Sequence, residues 1–370
     1  MKHPHPMTPR QRLLAPFQGI TPDRPALLAD LSYWYSAAKA AGTLEKQYDG
    51  QEGYKRLHKD LGVCYYYDYA DHEVFTTRYE GATVETKESP TERRRFWRTP
   101  KGELTDCWHY LPQSSCWALV EYAVKTVDDF PVMMDLFQRV RYAPAYEEYA
   151  RLDAWIGASG IPLAAVPRSP LPALLADWCG VEQTIFFLMD HPDVVAEALA
   201  VIDRANDMAF EIIGNAPCSL LHFCDNLDSS ASTPFFEEHM KACYARRLKQ
   251  LHQAGKFAVV HLDGRVRGLL PKLAKCGFDG VESITPAPVG DVTVEETRGL
   301  ADNDRLVLWG GIPGAMFCAP WSERDVCAQT RQVMEHWGKQ GRLVVGTADQ
   351  IPPDGAIGWC RAIADAIELG

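Results

Sequence analysis

The chain has 370 residues, 46% hydrophobic and 24% charged, a composition typical of a globular protein with a large core. Its formal net charge of −11, with no basic run longer than Arg93-Arg94-Arg95, argues against a nucleic-acid partner, because phosphate contacts dominate such binding. No apolar stretch approaches the ~20 residues that span a bilayer, and the first residues lack a signal-peptide pattern. The eleven cysteines are scattered without a CxxC spacing. We therefore expect a cytoplasmic protein with reduced thiols and no membrane segment.

Short β-rich runs alternate with amphipathic helices along the chain, which predicts a parallel sheet. In chain order, the predicted strands are 26–31, 63–67, 161–166, 219–222, 257–260, 278–282, 305–309 and 343–345. The helix predicted over 233–255 places hydrophobic residues at steps of three and four. Eight strands in this rhythm predict an α/β fold, a single (β/α)8 TIM-type barrel domain over residues 1–370 with an N-terminal extension. The active site of such a barrel lies at the carboxyl ends of the strands.

Residues 72–150 interrupt this rhythm. The stretches TVETK and RRRFWRTPKGELTDCWHY alternate like antiparallel strands around Pro100-Lys101-Gly102. Antiparallel strands cannot belong to a parallel barrel. We therefore expect an insertion, containing a hairpin and a helix, that forms a lid over the barrel mouth.

Polar residues follow several predicted strands, and the richest group is His261-Leu262-Asp263. Residues two apart in an extended chain point to the same side, so one ion can meet both polar side chains. Asp225, Glu282 and Asp349 close other strands, and a barrel gathers such ends together. An imidazole among carboxylates predicts a divalent-metal site at His261, Asp263, Glu282 and Asp349. The alternative is a hydrogen-bonded cluster in which Asp263 orients His261.

Aromatic residues surround the ends of the first two predicted strands: Tyr33, Trp34, Tyr35, Tyr65, Tyr66 and Tyr67. They can wall an apolar pocket, hold a cationic methyl group through their ring faces, or simply pack in the core and rim. Tyr33, Trp34 and Tyr67 are our predicted substrate-binding residues, together with Asp225 and Trp309.

Four charged residues are the candidates for catalysis: Asp68, Asp71, Arg168 and Asp349. Arg168 either clamps a substrate carboxylate or pairs with a barrel acid. Asp68 and Asp71 follow the second predicted strand, where proton transfer and loop capping are equally compatible with the sequence. The sequence has no GxGxxG, no phosphate-binding P-loop and no serine elbow.

Several stretches together resemble the uroporphyrinogen decarboxylase superfamily, which includes the cobamide-dependent methyltransferases. They are, in family order, MTPRQRLLAPFQGITPDRPAL, FWRTPKGEL, VPRSP, LHQAGK, VHLDG, GFDGVES and TADQIPPD. The resemblance covers nearly the whole chain. It implies a barrel, often a homodimer, with a deep cleft at the carboxyl ends of the strands.

Departures from the decarboxylases narrow the implied function. Their arginine-rich segment after the first strand, which binds the carboxylates of a tetrapyrrole, is replaced here by DLSYWYSAAKA. A substrate with many carboxylates needs fixed cations. The histidine of their GHG-like segment is replaced by Asp349. The resemblance therefore favours the methyltransferase branch.

The methyltransferase branch holds zinc with His-x-Cys after the fifth strand and Cys after the eighth, near an acidic residue after the sixth. The matching positions here are His261, Asp263, Asp349 and Glu282, so both cysteines have become aspartates. Such a set suits Lewis-acid activation of a methyl donor by a divalent metal, with zinc favoured. The implied donor is a small molecule such as a methoxy aromatic or a methylamine, and a cobalamin-binding partner protein supplies the corrinoid acceptor.

Three hypotheses about function follow. The first is this corrinoid-dependent methyltransferase, in which the metal, Asp68 or Asp71 neutralises the leaving group. The second is a decarboxylase-like lyase acting on a small carboxylate held by Arg168. The third is a barrel that binds a small molecule or corrinoid without catalysis.

Overall fold

The computed structural model describes residues 6–66 and 74–369. Its helices are α1 Pro9–Leu14, α2 Ser32–Ala40, α3 Gly50–Leu61, α4 Phe130–Gln138, α5 Tyr146–Ile156, α6 Pro170–Ala173, α7 Val181–Asp190, α8 Pro192–Ala205, α9 Asp207–Asn215, α10 Ser229–Ser232, α11 Lys241–Gln253, α12 Leu270–Cys276, α13 Val294–Ala301, α14 Glu323–Trp337 and α15 Trp359–Leu369. Its strands are β1 Leu27–Asp30, β2 Phe75–Tyr79, β3 Thr83–Glu88, β4 Glu92–Thr99, β5 Gly102–Leu111, β6 Cys116–Glu121, β7 Val140–Pro144, β8 Leu220–Leu227, β9 Phe257–Leu262, β10 Gly280–Ile284, β11 Val307–Pro313 and β12 Leu343–Gln350. Among the described helices, none combines the length and the apolar character that a membrane crossing requires.

Six strands form a curled parallel sheet in the order β1-β12-β11-β10-β9-β8. Helices follow most of these strands along the chain, and the arrangement is consistent with a TIM-type barrel. Each of the six strands lies where the sequence predicts one. Several of them run further, because the ladder of β8 continues to Leu227 and that of β12 to Gln350.

The two remaining predicted strands are 63–67 and 161–166, and of these the described residues 63–66 and 161–166 run beside the edge strands and beside each other. The backbone N–H of Cys64 donates to a carbonyl of β1 at 2.7 Å. Tyr65 forms an isolated parallel bridge with Gly160, and Ala165 forms another with β8. Pro162 has no N–H to donate, which explains why the second segment forms a bridge and not a continuous ladder.

Hydrophobic residues on the two faces of the parallel sheet form two separate clusters. Leu28, Leu220 and Val259 belong to an interior cluster, whereas the residues that follow each of them along the strand belong to a single larger cluster on the other face, here called the outer cluster. This alternation follows from the two-residue period of a strand. Leu13 of α1 and Phe17 belong to the interior cluster. Because Phe17 contacts Phe257 at the start of β9, the N-terminal extension covers the amino-terminal end of the sheet.

Antiparallel strands occupy much of the segment 74–150. β2 pairs with β7, and β3, β4, β5 and β6 form a four-stranded antiparallel sheet, here called the insertion sheet. β4 and β5 form a hairpin in which Thr99 pairs with Gly102, at the turn that the sequence indicates. Trp97 of this sheet is buried and packs against Trp178 with ring centroids 5.2 Å apart.

Candidate functional site

Four ionisable side chains meet inside the parallel sheet: Asp30, His222, His261 and Glu282. The first three each come two residues after a member of the interior cluster, so the strand period turns them toward the same side. Glu282 of β10 stands directly opposite His261 of β9 in the sheet register. We call these four residues the polar layer.

Glu282 connects the two imidazoles of the polar layer through one oxygen. Nδ1 of His261 donates to Oε2 of Glu282 at 2.5 Å, and Nε2 of His222 lies 3.1 Å from the same oxygen. The other ring nitrogen of His222 lies 2.8 Å from Sγ of Cys224. Potential ligand atoms of His222, His261 and Glu282 all lie within 4.8 Å of one another, and the three residues are buried. Two imidazoles and a carboxylate at this spacing can hold one divalent cation.

Charge interactions in and around the polar layer shift several pKa values. Burial alone would lower the pKa of His261, but the Glu282 carboxylate outweighs it and raises that pKa to about 9. The pKa of Glu282 is well below its usual range despite burial, because of the adjacent imidazoles. Burial raises the pKa of Asp349 to about 6, with Asp263 and Asp30 adding repulsion. Burial also raises the pKa of Asp30.

The four predicted metal-binding residues fall into two pairs, one in direct contact and one that interacts with His261 only through charge. His261 and Glu282 are in direct contact, whereas Asp263 and Asp349 act on His261 through their charge. Asp349 has a φ of +63°, an uncommon conformation for a residue other than glycine and one that often marks a functional position. His222 is a possible ligand that was not predicted from the sequence. The available signal was its place two residues after Leu220, on the interior side of the strand.

Two predicted substrate-binding residues, Asp225 and Trp309, are buried against neighbouring side chains. Oδ1 of Asp225 accepts the backbone N–H of Ser169 at 2.9 Å, and Oδ2 accepts the hydroxyl of Tyr244 at 2.7 Å. Trp309 is 1% exposed, and its ring lies 4.9 Å from that of Tyr66. Both residues are therefore engaged in packing or hydrogen bonding, and their predicted contact with substrate stays a prediction.

Arg168 lies beside an acid and an amide. Its Nε lies 2.9 Å from Oδ2 of Asp177, and Nη1 donates to Oδ1 of Asn226 at 2.9 Å. The positive charge of Arg95 from the insertion sheet also acts on Asp177 and favours its ionised form. Arg168 therefore pairs with an acid of the helical segment Leu174–Trp178 and not with an acid of a barrel strand, and its role as a carboxylate clamp stays a prediction.

Tyr33 of α2 connects the insertion sheet with the strand ends. Its hydroxyl lies beside Cys116 at the start of β6, and burial, together with Cys116 and the nearby Asp349, raises its pKa to about 12. Trp34 is partly buried against the large hydrophobic cluster. Three other predicted site residues lie outside the described residues: Tyr67, Asp68 and Asp71.

Comparisons with known proteins agree with this architecture. A family model described as "Uroporphyrinogen decarboxylase (URO-D)" matches residues 122–368. A solved methyltransferase from Methanosarcina mazei is similar with a TM-score of 0.60 at 14% identity, covering 98% of this chain and 99% of that one. A B12-independent methionine synthase from Shewanella sp. W3-18-1 is similar with a TM-score of 0.47 at 14% identity, over 68% of this chain and 71% of that one. No curated protein matches the chain in sequence.

Proposed function

The chain belongs to the uroporphyrinogen decarboxylase family, and from that premise we propose that it is an enzyme that transfers a methyl group from a small donor to the corrinoid of a partner protein. The observation that carries this proposal is the buried set of His222, His261 and Glu282 inside the sheet. A fold shared with a methyltransferase over nearly the full length of both chains also supports it. We further propose that segments 63–66 and 160–166 complete an eight-stranded barrel and that the insertion sheet is its lid.

We propose that the polar layer binds one divalent metal, most naturally zinc. His222, His261 and Glu282 supply a nitrogen- and oxygen-donor set at the right spacing, with Asp263 and Asp349 at the rim. Bound there, the metal supplies a Lewis acid for the heteroatom that leaves the methyl group. Glu282 contacts one ring nitrogen of each imidazole and so fixes the orientation of both rings.

In this proposal the residues around the metal position the donor. Tyr33 and Trp34 would present ring faces to a small, partly apolar molecule where tetrapyrrole decarboxylases carry arginines, and Tyr67 is the third aromatic residue proposed to bind it. Asp68, Asp71 and Asp349 are the carboxyl groups available to neutralise the leaving group, and Asp225 and Trp309 support the pocket from behind. The aromatic and acidic character of these residues favours a methoxy aromatic or methylamine over a polyanion.

The alternative, a lyase that decarboxylates a small carboxylate held by Arg168, has weaker support. The guanidinium of Arg168 already lies 2.9 Å from Asp177, and a paired guanidinium attracts a second carboxylate less strongly. The two hypotheses differ in product, since one forms a methylated corrinoid and the other releases carbon dioxide.

The test is spectroscopic. Reduced cobalamin is mixed with the purified chain and a panel of methyl ethers and methylamines, and conversion of Co(I) to methyl-Co(III) is followed by absorbance. We expect conversion with at least one donor. His261→Ala should slow it by ~100-fold or more, because it removes a metal ligand worth several kcal/mol of Lewis-acid stabilisation.

His191→Ala, at an exposed histidine before α8, is the matched control and should leave the rate unchanged. Absence of conversion with every donor, together with carbon dioxide release from a carboxylate, would favour the lyase.

A further inference from the structure

A second group of potential metal ligands lies on the insertion sheet: Glu92, Cys107 and His109. Cys107 and His109 are two residues apart on β5 and so share one face, and Glu92 of β4 stands directly opposite His109. Their potential ligand atoms all lie within 4.8 Å of one another. Trp97 and Glu92 are an odd number of residues apart on β4, so their side chains lie on opposite faces of the insertion sheet. Trp97 packs against Trp178, and the three potential ligands therefore lie on the face that does not contact Trp178.

The geometry points to a second metal site at these three residues, and we propose that it binds zinc or a similar divalent transition metal. A thiolate, an imidazole and a carboxylate are the donors that zinc takes from proteins, and water can complete a tetrahedron. Cys107 is 1% exposed, while the side chains of Glu92 and His109 are 43% and 51% exposed. A metal can therefore enter from solvent and reach the sulfur at the base of the site, displacing the thiol proton as it binds.

The β4–β5 register runs without a break from Glu92 opposite His109 to Arg94 opposite Cys107, so Cys107 and His109 keep the same face. The register shift between β5 and β6 places its extra residue, Val120, on β6 and leaves the strands that carry the three ligands regular. The site also already attracts a cation, because Nε of Arg94 donates to Oε1 of Glu92 at 3.0 Å and its Nη1 donates to Glu121 at 3.4 Å. The Arg94 side chain is 40% exposed, so it can turn toward solvent when a metal takes its place on Glu92.

This site would join β4 to β5 and thereby stabilise the insertion sheet, since a ligand that binds only the folded state raises its stability. The inference does not rest on the proposed methyl transfer. It assigns a metal to the outer face of the sheet, whereas the polar layer lies inside the parallel sheet.

The experiment titrates the full chain, freed of metal with a chelator, first with Co²⁺ and then with Zn²⁺. We expect a thiolate-to-cobalt charge-transfer absorption that zinc removes by displacement. Cys107→Ser and His109→Ala should each abolish this absorption. Cys224→Ser and His261→Ala, which alter the surroundings of the polar layer, should leave it in place. Because His109 is exposed, its alanine variant is expected to fold normally.

Competition by Arg94 gives an independent readout. Arg94→Gln should tighten Co²⁺ binding several-fold, because the rival cation is removed. Arg98→Gln is the matched control, since Arg98 lies on the same face of β4 but pairs with Glu85 and Glu103. A thiolate band that survives both Cys107→Ser and His109→Ala, one that only Cys224→Ser removes, or none in the unaltered chain would overturn the proposal.

Discussion

Glu282 is buried, and an isolated buried carboxylate would cost several kcal/mol of folding free energy. One of its oxygens meets two imidazoles, and these contacts compensate the lost hydration. The depressed pKa of Glu282 and the raised pKa of His261 describe the same ion pair from its two sides. A divalent cation would take the place of the imidazole proton, so the same residues serve with and without metal.

Asp225→Ala should lower the free energy of unfolding by about 3 kcal/mol, because two buried donors, the Tyr244 hydroxyl and the Ser169 N–H, lose their acceptor. Urea denaturation measures the change. Tyr244→Phe removes one of these hydrogen bonds without leaving a buried hydroxyl unsatisfied, and should cost less than Asp225→Ala. If Asp225→Ala instead left stability unchanged and raised KM for the methyl donor, the substrate-binding role inferred from the sequence would be correct.

His261 and Glu282 could be chosen from the sequence because each falls at the end of a hydrophobic run. The pairing of His222 with Glu282 could not, since it depends on how neighbouring strands are aligned, and no local pattern records that alignment. Asp225 illustrates the converse. Its neighbours Phe223 and Leu227 belong to the outer cluster, so strand parity turns Asp225 away from the interior. Because the predicted strand ended at residue 222, the alternation of side chains along a strand could not be extended to Asp225 from the sequence.

At the scale of whole elements, the order of strands and helices is largely readable from the sequence, while their ends are not. β12 reaches Gln350, although the predicted strand ends at 345, because its ladders continue past that point, with Ala348 opposite Pro313 of β11 and Gln350 opposite Asp30 of β1. The helix predicted over 233–255 is helical from Thr233 to Gln253, but its first two turns are a 3₁₀ turn, Thr233–Phe235, and a π-helical turn, Phe236–Met240, before the regular α11. Hydrophobic periodicity detects the face of an element better than its limits.

Tyr33 of α2 contacts Cys116 of the insertion sheet, so we expect a change at Tyr33 to alter the stability of β6. Tyr33→Phe removes the polar contact of the hydroxyl with Cys116, so amide exchange in β6 should become about fivefold faster, corresponding to about 1 kcal/mol. Hydrogen–deuterium exchange followed by mass spectrometry resolves the strand. Tyr110→Phe, on the same sheet, is the control and should leave β6 unchanged. Equal rates in both variants would mean that packing around Trp97 alone secures the sheet.

At the scale of the whole molecule, the N-terminal extension and the insertion sheet lie at different parts of the parallel sheet. Leu13 and Phe17 fill its amino-terminal end, while Tyr33 links the insertion sheet to the region of Asp349. Two ion pairs hold the N-terminal extension. Arg10 pairs with Asp153, which is distant in sequence, and Arg12 pairs with Asp23 in the loop that follows the extension. Opening the extension would expose interior hydrophobic residues, so these ion pairs contribute to the stability of the entire fold.

Acid should weaken the whole molecule through Asp23. Its pKa is lowered from 3.8 to about 2, chiefly by the hydrogen bond from Arg12, so folding favours the ionised carboxylate. A group with a depressed folded-state pKa contributes stability above its unfolded pKa and loses it as the pH falls through the folded value. Asp23→Asn should therefore destabilise the chain near neutral pH, and the difference from the unaltered protein should vanish as the pH falls from 3.8 to about 2.

Chemical denaturation at a series of pH values measures this difference, and the double variant Arg12→Gln/Asp23→Asn is its control. Since Arg12 is the partner, Asp23→Asn should have little effect once Arg12 is gone. Added salt should also reduce the difference, because both side chains are partly exposed to solvent. A difference that persisted unchanged at the lowest pH would show that Asp23 acts through its neutral hydrogen bonds to Met7 and Arg24, and that charge is not what holds the extension in place.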